Sequence, residues 1–352
     1  MIVVHIESGL GNQMLGYLEY LAIKQANPKE ECFIETIVYE LGDKQNVIKM
    51  WNGYELESIF GIKAPNINGK FSPGTWEKIV DDVKKSEFWD NNWAYPEAIT
   101  KAFKNQGLIL KNTCVSHGSP IKPDEGNLKG KIKKAFRNIA DGKVFAYYDH
   151  YRDGYRFKKQ YEGIDHSNDL YPSNLHNTFS GFTLKFCNVG YGIEKLDTPA
   201  TEIFIFSEFT SEKNIRTAKD IQSCNSVAIH ARRGDLLTFN GVFYKNGYFK
   251  RATKLIKKTI SNPVFYFFSD PGSVDWCMDN LDIFGLDKAK DDVRFVYWNK
   301  GIDSYRDMQL MSLCKAAIVT NSSFGWWGAY FIDSPDKVTI SPRKSLLTTD
   351  HC

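Results

Sequence analysis

A chain of 352 residues exceeds the length at which a single hydrophobic core usually stops growing, so two domains of about 150 to 200 residues are expected. Its 45 basic and 42 acidic residues leave a formal charge of +3, which excludes the one-sided basic excess of a nucleic-acid binder and makes any phosphate recognition local. Seven scattered cysteines without a C-x-x-C pair suit reduced thiols in a cytoplasm better than a disulfide framework or a zinc site, and no run approaches the roughly 18 apolar residues of a membrane span.

The chain opens on a short apolar run, Ile2 to Ile6, read as a strand because it lacks the charged flank and apolar length of an export signal. The turn Ser8-Gly9-Leu10-Gly11 follows, then a helix from Asn12 to Gln25 closed before Pro28, and a second strand over Phe33 to Val38. Between Asn66 and Asn225 the periodicity is too weak to order the elements. Within that stretch, Lys129 to Ile139 reads either as a solvated basic helix face or as a surface for anionic lipid at a membrane periphery. Regularity returns at Val227-Ala228-Ile229, a buried strand. It is followed by a helix over Tyr248 to Ile260, a strand over Val264 to Phe268, and a helix over Gly272 to Leu281. A strand over Val293 to Tyr297, a helix over Ser304 to Cys314 and a strand over Ala316 to Thr320 continue the pattern. A helix starting at Ser322 and a last strand, Val338 to Ile340, complete it. Such alternation predicts a doubly wound parallel sheet with its ligand beyond the carboxyl ends of the strands.

Three of those strand ends carry chemistry. The first delivers His230-Ala231-Arg232-Arg233-Gly234-Asp235, where two guanidiniums offer a fixed fork of donors matched to phosphate oxygens; an Arg-Asp ion pair bracing the loop is the structural alternative. The second delivers Asn321-Ser322-Ser323 at a helix start, where free amides and the helix dipole favour an anion; an ordinary serine N-cap is the alternative. The third ends in Ser269-Asp270-Pro271, polar groups placed to reach a ribose or base, or simply to cap a helix. The Gly9-Leu10-Gly11-Asn12-Gln13 turn departs from a dinucleotide fingerprint because Met14 occupies the third glycine position; its expected use is a tight turn whose Asn12 and Gln13 amides face a cleft between domains. With no Asp-x-Asp, no zinc-type spacing and no Walker lysine loop, the sequence offers no metal site, and arginine takes the metal's place at the phosphates.

In combination and in order, the segments Gly9 to Met14, His230 to Asp235, Phe267 to Asp270, Asp307 to Ser312 and Asn321 to Gly328 resemble glycosyltransferase family 11, the α-1,2-fucosyltransferases. The resemblance covers about the first 30 residues and Ser226 to Pro342. It implies an α/β, GT-B-like architecture of two Rossmann-like domains with parallel sheets facing an interdomain cleft. Residues 1–220 would form a mainly acceptor-binding domain and 221–352 the GDP-fucose domain. It further implies inverting transfer of fucose to a hydroxyl of a glycan, O-2 of a terminal galactose, without a metal or other cofactor. Arg232 would grip the donor's β-phosphate as the catalytic residue, with His230, Arg233, Asp235, Ser269, Asp270, Asn321, Ser322 and Ser323 in the donor pocket. Glu7, His5 and Asp235 are the available general bases. The sequence departs from the family's habit at Leu15-Gly16, Ala231 and Gly325. Because the chain begins at its first strand, the resemblance implies a bacterial cytoplasmic enzyme of surface polysaccharide or O-antigen synthesis, acting on a galactoside or lipid-linked oligosaccharide. A glycosyltransferase of different linkage and a non-catalytic nucleotide-sugar or glycan-binding protein are the alternatives.

Overall fold

The computed structural model describes residues 1–42, 48, 50–90, 94–110, 112–113, 169–171, 196–234 and 237–342. The basic stretch Lys129 to Ile139 and Asp235 lie outside these residues. The chain divides into two units, one of residues 1–8, 15–50 and 63–197, the other of residues 9–14, 51–62 and 198–352.

The first unit holds a parallel sheet of β1 (Ile2–His5), β2 (Cys32–Glu35), β3 (Asn112–Thr113) and β4 (Asp169–Tyr171) in the order β2-β1-β4-β3. All four residues of β1 are buried, as the β-branched run Ile-Val-Val requires of a strand covered on both faces. The helix α1 (Leu10–Ala26) begins two residues before the expected Asn12, because the Asn12 and Gln13 amides already bond to Gly9 O. The strand expected over Phe33 to Val38 ends at Glu35. There the Glu35 carboxylate captures the Ile37 amide and the chain turns into a 3-10 segment, Ile37–Glu40. Beyond Asn66 the structure supplies elements that the sequence reading left unordered. In α2 (Pro73–Lys85), Ser72 caps the Thr75 amide at 3.3 Å and Trp76, Ile79 and Val83 form the buried face. The helix α3 (Tyr95–Asn105) follows it.

The second unit is the expected doubly wound sheet, five parallel strands in the order β7-β6-β5-β8-β9. They are β5 (Asn225–Ala231), β6 (Pro263–Ser269), β7 (Asp292–Val296), β8 (Ala316–Ile318) and β9 (Val338–Ile340). Side chains alternate across it: Val227, Ile229, Phe265, Phe267 and Ile318 pack into one face's core, Ala228, Tyr266, Phe268 and Ala317 into the other. Helices α4 (Glu212–Ser223), α5 (Leu237–Lys245), α6 (Tyr248–Thr259), α7 (Val274–Asp279), α8 (Tyr305–Ser312) and α9 (Ser323–Tyr330) complete it. The boundary falls before residue 198 rather than at 220, since Ala218 and Ile221 of α4 are part of this sheet's core. Chain order reverses between β5 and β8, which makes their carboxyl ends the topological switch point.

Candidate functional site

In-register pairing of β5 with β6 sets Ala231 opposite Ser269, so the residues that follow each strand meet. The Asp270 carboxylate pairs with Arg232 Nη1 through one oxygen and accepts the Arg233 amide at 2.6 Å through the other. A β-carbon on Gly234, whose φ is +21°, would come within 3.2 Å of that carboxylate. The bracing ion pair that the sequence left as an alternative is therefore formed, with Asp270 rather than Asp235 as its described acid. Both Asp270 carboxylate oxygens thus have protein partners, and 9% of the side chain is exposed. Ser269 is also engaged, its hydroxyl donating to Ala231 O at 2.8 Å. Arg232 keeps 32% of its side chain exposed, with its carbonyl held by the Tyr244 hydroxyl at 3.0 Å. Arg233 stacks on Trp276, its guanidinium carbon 3.2 Å from the ring centroid, with Tyr244 at 5.1 Å. The two neighbouring arginines thus have different surroundings.

On the other side of the switch point, β8 leads through the buried Thr320 and Asn321 into α9. Ser322 occupies the N-cap with extended backbone, φ −155° and ψ 125°, yet its hydroxyl makes no capping bond. Its carbonyl receives the Trp326 amide at 2.9 Å. Among the described residues nothing bonds the amides of Ser323, Phe324 and Gly325, so the helix presents three free donors at its positive end. His230 lies beside them, its ring stacked on Phe324 with centroids 5.7 Å apart and its Nδ1 pressed against Gly325 without a hydrogen-bond partner. Burial, then the charge of Arg232, pushes this imidazole down to about 3, so it is neutral at physiological pH.

The N-terminal turn enters the same unit and differs from its sequence reading. Gln13 is wholly buried and both ends of its amide are used, Nε2 on Gly53 O and Oε1 on the Glu55 amide, each at 2.8 Å. It ties residues 51–62 in place and does not present a free amide to a ligand. Asn12 is half-buried, Gly9 has open space around it, and Gly11 lies directly against the first turn of α9.

Sequence reasoning gave no role to Asp307. Its carboxyl is pushed up to about 7 by burial, against the one side-chain hydrogen bond it accepts, from Asn299 Nδ2 at 2.7 Å. Asn299 in turn bonds Asn214 at 2.8 Å, and Asn214 accepts the Trp298 indole N–H at 2.6 Å. The legible signal was the polar Asn299 just beyond an apolar strand. In the first unit His5 sits between two carboxylates, Glu35 Oε2 at 2.5 Å and Glu7 Oε2 at 3.3 Å, while Tyr95 donates to Glu35 Oε1 at 2.9 Å. Among the described residues no group of His, Cys, Asp and Glu is arranged to hold a metal ion, the described cysteines Cys32, Cys224, Cys277 and Cys314 are free, and no helix is long and apolar enough to cross a membrane.

Comparison with known proteins matches residues 204–345 to the family model described as Glycosyl transferase family 11. An alpha-1,2-colitosyltransferase of Escherichia coli is 32% identical over 160 residues, 42% of this chain and 52% of that protein. The O-antigen biosynthesis glycosyltransferase WbnK of Escherichia coli is 33% identical over 130 residues, 35% of this chain and 40% of that protein. Galactoside alpha-(1,2)-fucosyltransferase 1 of Aotus azarae is 31% identical over 109 residues, 30% of this chain and 28% of that protein. The chain spans about half the length, or less, of these relatives.

Proposed function

We propose that this chain, whose residues 204–345 match the glycosyl transferase family 11 model, is a member of that family and a galactoside α-1,2-fucosyltransferase using GDP-fucose. The observation that carries this reading is the convergence, at the switch point between β5 and β8, of the partly exposed Arg232 guanidinium and the three unbonded amides that open α9. Cationic fork and helix start together suit a diphosphate.

In this reading the acceptor hydroxyl attacks carbon 1 of β-linked fucose and GDP departs from the opposite face, so configuration inverts. Charge grows on the leaving phosphate as the bond breaks, and preorganised donors aimed at it lower the barrier; Arg232 supplies the formal charge and Ser323 to Gly325 the backbone dipoles. Asp270 holds Arg232 and the Arg233 backbone in place, so the guanidinium is oriented before the donor arrives. The neutral His230 fills the space behind Gly325 without adding charge. No metal cofactor is invoked. In this proposal the first unit takes the acceptor, a galactoside or lipid-linked oligosaccharide; the O-antigen relative supports a role in surface polysaccharide synthesis, and a bacterial cytoplasm at or near the inner membrane is the setting we propose for it.

A donor screen with a β-galactoside acceptor in excess EDTA tests this. GDP release from GDP-fucose on adding acceptor, with an α-1,2 product, is the expected result. Another linkage would correct the regiochemistry. Binding of GDP without turnover would mark a non-catalytic nucleotide-sugar binder, and loss of turnover on chelation, restored by manganese, would overturn the metal-free reading. The colitosyltransferase relative makes a colitosyl donor the second reading, separated in the same screen.

A further inference from the structure

We infer that Gly11, far from the family domain in sequence, is a positioning residue of the diphosphate cradle: its bare Cα walls the opening turn of α9 and keeps the amide donors accessible to an anion. The inference rests on the donor reading above and deepens it. It uses contacts of the second unit alone, to which residues 9–14 belong.

A β-carbon on Gly11 would stand 2.6 Å from Phe324 N, 2.7 Å from Ser323 C and 2.8 Å from Ser323 Oγ. A methyl at that distance lies inside the shell in which a hydrogen-bonded oxygen would sit on the Phe324 amide, at about 2.7–3.2 Å. An alanine must therefore either push the turn away or occupy the amide's binding space. Backbone cannot yield as a flexible side-chain tip can. The approach is held from within: the Trp327 indole N–H, one helical turn further along, donates to Gly11 O at 2.9 Å in a fully buried bond. The opposite side of the same turn is bounded by His230, whose fully buried Nδ1 lacks a partner and whose Cγ would be 2.8 Å from a β-carbon on Gly325. Two glycines therefore let two neighbours close on one helix turn while its three amides stay unbonded. Gly9, two residues away in the same loop, has nothing within 4 Å, so the demand is specific to Gly11.

The test is calorimetric titration of GDP, GDP-fucose and guanosine into the parent, Gly11→Ala and Gly328→Ala, with a thermal scan of each. Gly328 lies in the same helix, but a β-carbon there would first meet the Met311 side chain, 2.8 Å from its Cε, so its alanine variant reports helix packing strain away from the cradle. Gly11→Ala is expected to weaken GDP and GDP-fucose at least tenfold with guanosine unchanged, whereas Gly328→Ala lowers the melting temperature and leaves GDP binding intact. If Gly11→Ala fails to fold, Trp327→Phe keeps an aromatic side chain, removes the bond to Gly11 O, and should show the same phosphate-dependent loss. GDP affinity within twofold of the parent in whichever variant folds, or a parallel loss of guanosine, overturns the inference alone. A parent that binds no GDP overturns the donor reading and the inference together.

Discussion

His5 Nδ1 stands 2.5 Å from Glu35 Oε2, joining the first two strands of the sheet through a buried imidazole stacked on Tyr95 with ring centroids 4.1 Å apart. Burial alone would pull this histidine down, but Glu35 and then Glu7 outweigh it and push it up to about 9. A folded-state value raised from 6.5 to about 9 contributes stability that is complete below about pH 6.5 and lost as pH rises through about 9, roughly 3 kcal/mol in all. The melting temperature should therefore fall between pH 7 and 10. In His5→Gln that slope should flatten; an unchanged slope would show that the cluster is not the titrating element.

Removing the Arg232 guanidinium tests the leaving-group argument directly. Arg232→Ala should lower kcat by at least roughly a hundredfold with a native far-UV spectrum. Arg232→Lys should recover little, because a point charge lacks the fork that meets both the phosphate and Asp270. Near-normal turnover in the alanine variant would contradict the proposed chemistry.

The α9 start separates phosphate binding from capping. Since the Ser322 hydroxyl makes no capping bond, Ser322→Ala should change stability by less than the roughly 1 kcal/mol of a working N-cap. Ser323→Ala should weaken GDP and GDP-fucose alike while guanosine binds as to the parent. A drop in melting temperature with GDP affinity untouched would return both serines to ordinary structural roles.

Asp307 makes the opposite pH argument from His5. Its carboxyl is raised from 3.8 to about 7 by burial, so the protonated form is favoured on folding; that contribution is complete below about pH 3.8 and is lost as pH rises from there through about 7. Asp307→Asn, which keeps an acceptor for Asn299 and removes the buried charge, should raise the melting temperature at pH 8 and leave it nearly unchanged at pH 3, below the unfolded value. A lower melting temperature at pH 8 would mean that the ionised carboxylate has a stabilising partner.

Two kinds of information separate in this chain. The apolar β-branched and aromatic runs from Val227 onward specify a parallel sheet by themselves, because a strand buried on both faces must be apolar throughout and its crossovers must be amphipathic. The loaded strand ends at His230, Ser269 and Asn321 were legible for the same reason, since polar residues right after such runs mark the sheet's carboxyl edge. The helix over Pro73–Lys85 was also written locally, in Ser72, Pro73 and the spacing of Trp76, Ile79 and Val83, but it was hidden among residues whose weak periodicity gave no order. What each edge residue does was decided only when the strands were set side by side. The register of β5 on β6 set Asp270 on Arg232 and on the Arg233 amide, and the fold of residues 51–62 consumed the Gln13 amide. Gly11 reads as a turn glycine in sequence and becomes a packing glycine only against Phe324, more than three hundred residues later. Hydrogen-bond capacity and van der Waals space are spent on whichever neighbour arrives, and a linear sequence does not say which that will be.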